Sequence, residues 1–143
     1  MGNRAVIAFQ EENWTEVQPD SVGIYLHWNG GPDSVSAFLR AAAHLDNRRD
    51  DYGVARLCQI IGNWFGGTLS IGIGKCRTLD TDNGDNGTYV VDFKQYGWTI
   101  ARRIHTTDPR SDWNSNFAER SNAILAEVLE VNRPIFQPEK VAS

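Results

Sequence analysis

The spacing of apolar and polar positions along the chain changes period several times, and each change marks an element. Residues 22–28, "VGIYLHW", are rich in β-formers and alternate, and with the apolar run 4–9, "RAVIAF", they predict two strands. Between them "QEENWTEVQPDS" is polar and predicts a long hairpin loop. From Ser34 to Leu45 the period lengthens: Val35, Phe38, Leu39 and Ala42 fall at i, i+3, i+4 and i+7, the stripe of an amphipathic helix with Asp33 as its N-cap. "DNRRDD" interrupts the pattern. A second helix follows over Tyr52–Phe65, with Val54, Leu57, Cys58, Ile61 and Phe65 on its apolar face and the glycines at 66–67 as its stop. Strands are predicted at 68–73, 88–93 and 97–105, with a turn near Lys94-Gln95-Tyr96 and a loop over "TTDPRSDWNS". A long C-terminal helix over 116–131 carries Phe117, Ile124, Leu125, Val128 and Val131 and stops before Pro134.

The order ββααβββα does not alternate β with α. It predicts one α+β domain over residues 1–143, with a mostly antiparallel sheet of about five strands, two helices inserted after the second strand, and a loosely ordered tail from about residue 133. The last helix carries more apolar surface than a small sheet needs, which suggests dimerisation through it.

Composition narrows the function classes. With 41% hydrophobic and 22% charged residues in 143, the chain suits a single folded domain. No apolar run is long enough for a membrane span, and "MGNRAVIAF" lacks the layout of a signal peptide, so a cytoplasmic protein is expected. The net charge of −4 disfavours a grip on long nucleic acid and is too mild for a DNA mimic. Cys58 and Cys76, the two cysteines, have no metal-ligand spacing and are expected reduced, Cys58 in the core.

Four features carry candidate chemistry. "NGGPDS" at 29–34, between a strand and a helix, has two readings: a turn that starts the helix, or a phosphate cradle of glycine backbone and helix N–H groups. Trp28 beside it is placed to stack a base. On the second helix Arg56, Gln59 and Asn63 form a polar stripe suited to phosphate and base edges, or simply to solvent. The loop "LDTDNGDNGTY" resembles a calcium loop in composition only, since Gly84 and Val91 stand where an EF-hand needs ligands, and its Asn-Gly pairs also suit a tight turn. Arg102 and Arg103, adjacent on a strand, must point to opposite faces, so one can serve a ligand. "GIGK" fails as a P-loop because position 69 is Leu and Cys76 replaces the magnesium-binding hydroxyl. The three histidines announce no nucleophile motif, and no catalytic residue, resident metal or cofactor is expected.

Two resemblances bear on these residues. "NGGPDS" is similar to the SGGxDS loop of the PP-loop ATP pyrophosphatases, with Asn29 in place of the leading Ser, but that family needs a parallel α/β domain. More extensively, "GIYLHWNGGPDSVSAFL", "YGVARLCQIIGNWFGGTLSIGI" and "LDTDNGDNGTYVV" resemble the first-described Thoeris anti-defence proteins of phages, over residues 4–105. The resemblance implies a sponge that captures cyclic ADP-ribose isomers made by a bacterial immune TIR protein, without cleaving them, in the host cytoplasm. It also implies that some members hold cyclic di- or trinucleotides at separate sites, and that dimers assemble into hexamers. On that basis Arg56 is the first candidate for a phosphate contact. Asn83 and Asn86 are candidates for ribose or base, Arg103 or Arg102 is a second cation, and Trp28, Asn29 and Gln59 complete the set. The competing class is a nucleotide-acting enzyme, either a metal-dependent phosphodiesterase or a PP-loop relative.

Overall fold

In the computed structural model of the chain, the described residues are 3–10, 19–46, 51–65, 70–94, 97–106 and 116–136. The elements run β1 (Ala5–Phe9), β2 (Val22–Leu26), α1 (Pro32–Leu45), α2 (Asp51–Phe65), β3 (Ile71–Lys75), a single 3-10 turn (Cys76–Thr78), β4 (Thr88–Lys94), β5 (Gly97–Ile104) and α3 (Phe117–Phe136). The expected loops at 11–18, 47–50, 66–67, 95–96 and 107–115 lie outside the described residues, as does the tail from 137.

The five strands form one sheet in the order β3-β2-β1-β4-β5. Three of its pairings are antiparallel, but β1 pairs with β4 in parallel, so the sheet is mixed. That parallel pair is possible because everything from β2 to the turn after β3 intervenes between the two strands, giving the chain length a parallel return requires.

Alternation assigns the two faces of the sheet. Ala5, Ile7 and Phe9 of β1, Ile24 and Leu26 of β2, Tyr89 and Val91 of β4 and Trp98 of β5 join a core with Val35, Phe38 and Leu39 of α1, Leu57, Ile60 and Ile61 of α2, and Leu125, Val128 and Leu129 of α3. All four residues predicted for the α1 stripe are buried there. Phe38 is wholly buried, with Trp64 and Phe65 edge-on to it. The opposite face carries Val6, Ala8 and Val90, also buried. The segment after β3 covers part of it: a side chain at Gly23 would strike Leu79 at 2.9 Å and Cys76 at 3.2 Å. Both cysteines are free, Cys58 partly buried and Cys76 buried.

Three boundaries differ from the sequence reading, each for a physical reason. Helix α1 starts at Pro32 with Gly31 as its N-cap, not at Ser34 after Asp33. Proline is favoured at a helix's first position, where its missing N–H is not needed. Strand β3 takes in Gly74 and Lys75, because Val22 and Gly23 pair with them. Helix α3 runs through Pro134 to Phe136. Asn132, wholly buried, anchors it just before the proline by donating to Ile60 O at 3.1 Å and Val128 O at 2.9 Å and accepting from Asn63 Nδ2 at 2.8 Å. This anchoring turns the helix so that Ser121, Leu125, Val128, Leu129 and Asn132 face inward, while Val131, one of the apolar residues named on this helix, is 44% exposed. No helix among the described residues is long and apolar enough to cross a membrane.

Candidate functional site

The glycine turn between β2 and α1 is tied down by its own backbone. Asn29 adopts φ 58°, a left-handed conformation that asparagine tolerates, and turns the chain toward β1. Gly30 N–H then donates to Asn3 O at 2.8 Å, and Gly30 O accepts from the Tyr89 hydroxyl at 2.6 Å. Any side chain at Gly30 would come within 2.6 Å of Asn3 O, so glycine is required by the close approach. Pro32 has no N–H, Ser34 N–H donates to Asp33 Oδ1 at 2.8 Å, and Val35 N–H to Gly31 O at 3.0 Å. Asp33 itself, 4% exposed, sets a carboxylate at the positive end of α1, with Arg120 Nε 3.1 Å away. The Gly30, Ser34 and Val35 N–H groups are engaged within the turn and a carboxylate occupies the helix end, an arrangement that holds the turn together and disfavours a phosphate there.

The acidic loop is likewise built from within. Asn83, 4% exposed, uses its whole amide: Nδ2 donates to Asp80 O at 2.9 Å and Gly87 O at 3.0 Å, while Oδ1 accepts from the N–H groups of Asp85 and Gly87, each at 3.0 Å. Asn83, expected to touch a ligand, is therefore the staple of its loop. The cation that the aspartates face is Arg4. Its Nε donates to Asp85 Oδ2 at 2.7 Å, its backbone N–H to the same oxygen at 3.1 Å, and its Nη1 lies 3.4 Å from Asp80 Oδ2. The guanidinium holds the Asp85 carboxyl below the usual carboxylate range, chiefly through that hydrogen bond. Among the described residues no group of three or more His, Cys, Asp or Glu side chains is placed to hold a metal ion.

A bulge in β5 decides which arginine goes where. Val91 pairs with Ile100 but Val90 pairs with Arg102, so Ala101 has no partner. The extra residue reverses the alternation, and Arg103 rather than Arg102 lands on the helix-facing side opposite Tyr89. Arg103 is 8% exposed, lies 4.4 Å over the Tyr89 ring, and donates from Nη2 to Asn86 O at 2.9 Å. Burial pushes the Tyr89 hydroxyl well above its ordinary range, against a smaller opposing effect of Arg103. Arg102, on the other face, donates from Nη1 to Gln10 Oε1 at 3.0 Å.

These contacts gather the start of β1, the glycine turn, the acidic loop and the end of β5 at one end of the sheet. Asn86 belongs there, its Nδ2 donating to Asn3 Oδ1 at 2.6 Å and its N–H to Arg4 O at 3.0 Å. Trp28 is 49% exposed and His27 packs edge-on to it, with ring centroids 4.8 Å apart. The Tyr25 hydroxyl meets His27 Nδ1 at 2.9 Å.

Arg56 and Gln59 lie elsewhere. Arg56 Nε is 3.4 Å from Asp46 Oδ2, at the C-terminal end of α1, and its guanidinium stands 5.9 Å from the Tyr52 ring centroid. The turn at Gly30 sits at the other end of the same 14-residue helix, roughly 21 Å away along its axis. Gln59 is exposed. Trp28, Asn29, Asn86 and Arg103 are thus brought to one end of the domain, while Arg56 and Gln59 form a separate surface.

Arg4, Tyr25, His27 and Tyr89 were not singled out by sequence. The three aspartates of one short loop did carry a signal for Arg4, since such a concentration of carboxylates needs a compensating cation. In comparisons with protein-family models, curated proteins and solved structures, the chain has no match.

Proposed function

We propose that this protein is a phage anti-defence sponge that binds a cyclic ADP-ribose isomer of the glycocyclic type and withholds it from the bacterial immune effector without cleaving it. The reading rests on the three ordered sequence blocks. One structural observation supports it: the first and third blocks meet at one end of the sheet. Gly30 accepts from Tyr89, Arg103 donates to Asn86, and the exposed Trp28 ring stands next to that junction. In this reading Trp28 stacks the adenine, Asn29 and the Asn86 amide meet polar edges of the ligand, and Arg103 supplies positive charge from beneath. Arg56 and Gln59, from the second block, form a second ligand surface for cyclic di- or trinucleotides, and Arg102 belongs to neither surface. Self-association to dimers and hexamers belongs to the same proposal.

The test is direct. The purified protein, without divalent ions, is mixed with a TIR-produced cyclic ADP-ribose isomer and free ligand is measured after ultrafiltration. Depletion in proportion to protein is expected. Ligand that stays wholly free overturns the assignment.

A further inference from the structure

One surface at this end of the sheet shows which part of a nucleotide it suits, an inference that rests on the nucleotide-binding reading above. Tyr25, His27 and Trp28 form a continuous aromatic run, with ring centroids 6.0 Å and 4.8 Å apart, ending in the half-exposed indole. Tyr25 faces Val6 across the β1–β2 ladder, so Arg4, two residues before Val6, is its diagonal neighbour on the same face. The Tyr25 hydroxyl is raised by burial; Arg4 opposes that shift, and Asp80 and Asp85 add to it, which puts all of them in electrostatic reach of one another.

Among the described side chains, one guanidinium faces two carboxylates, and Asp85 takes the tight contact at 2.7 Å. Asp80 is held loosely, at 3.4 Å, with its side chain 53% exposed, so most of its lone pairs face solvent. A loosely held carboxylate beside an aromatic shelf is suited to hydroxyl donors, and carboxylates bind ribose hydroxyls in dinucleotide-binding folds by the same chemistry. A phosphate here would place negative charge beside the exposed Asp80 carboxylate.

We propose that Trp28, His27, Tyr25 and Asp80 form a nucleoside subsite, with a purine base stacked on Trp28 and the ribose diol bound by the Asp80 carboxylate, and that this subsite rejects phosphate. The phosphates of a bound nucleotide then point away from the Arg4–Asp85 pair.

The experiment is a titration of the full chain with adenosine, 2′-deoxyadenosine and AMP, followed by the NMR signals of the Trp28 indole N–H and the His27 ring. Adenosine is expected to move both. 2′-Deoxyadenosine and the Asp80→Asn variant should each bind about ten-fold more weakly, the size expected for a lost hydrogen bond to a charged group. AMP should bind no more tightly than adenosine. Trp28→Ala, at a half-exposed position outside the acidic loop, should weaken adenosine by roughly ten-fold or more. If adenosine at millimolar concentration moves neither signal while a cyclic ADP-ribose isomer is still depleted by the protein, the subsite is wrong and the sponge reading stands. AMP binding clearly tighter than adenosine overturns the charge assignment. If neither adenosine nor any cyclic ADP-ribose isomer binds, both proposals fall.

Discussion

Arg4 donates through Nε to Asp85 at 2.7 Å and so latches the first strand to a loop 81 residues further along the chain. The guanidinium takes the place a bound cation would fill in an acidic loop, and it sets how the loop responds to pH. The Asp85 pKa is lowered from 3.8, so this contact stabilises the folded state fully above that ordinary value and is lost as pH falls through the lowered one. Relative to their intrinsic exchange rates, the backbone amides of Asp85 and Gly87 should therefore lose protection as the pH drops below the usual carboxylate range. In an Asp85→Asn variant that acid step should disappear.

Asn83→Ala removes four hydrogen bonds from a buried amide at once and strands the Gly87 N–H inside, while Gly87 O keeps the Val6 N–H. Water will replace some of them, and an expected loss of about 2–4 kcal/mol follows from the buried groups left unsatisfied. Chemical denaturation measures it. A loss below about 0.5 kcal/mol, the level of an ordinary surface substitution, would mean that Asn83 is not the staple.

The Tyr89 hydroxyl is the buried donor that holds the glycine turn through Gly30 O at 2.6 Å. Tyr89→Phe leaves that carbonyl without its partner and should cost about 1–3 kcal/mol. Because burial raises the folded pKa of Tyr89 above its ordinary value of 10, its stabilising contribution is complete below pH 10 and declines as the pH climbs from there toward the raised value. Alkaline melting curves of the wild type should show this decline, and the Phe variant should lack it.

Much of this fold was legible along the chain, and particular residues show why the remainder was not. The α1 stripe and the apolar face of α2 followed from periodicity because each buries one side of a helix against a sheet. The parallel pairing of β1 with β4 left no local mark: it joins residues such as Ile7 and Tyr89 that are far apart in sequence. Apolar residues alone do not show that Val131 faces outward; Asn132, a polar residue, is the one that sets the helix's rotation. The bulge at Ala101 was equally silent, and it alone decides that Arg103 faces Tyr89. At the candidate site, "NGGPDS" allowed both a turn and a phosphate cradle, and the choice depended on Asn3 and Tyr89, which approach only in three dimensions. Arg56 and Trp28 looked like parts of one pocket in sequence, yet they lie toward opposite ends of α1.

That separation gives a test of the two-surface reading. Trp28→Ala should weaken binding of a cyclic ADP-ribose isomer roughly ten-fold or more through lost stacking. Arg56→Ala should leave that affinity unchanged and weaken a cyclic oligonucleotide instead. Calorimetric titration of both variants with both ligands reads the pattern, and equal losses for one ligand in both variants would place the two residues in a single site.

The central claim is that the protein holds a cyclic ADP-ribose isomer and returns it intact. A TIR-produced isomer is incubated with the protein without divalent ions, the complex is separated from free ligand, the protein is heat-denatured, and the released material is resolved by chromatography. The account predicts full recovery of the unaltered isomer. Recovery of a hydrolysed or rearranged product would contradict it and make the protein an enzyme.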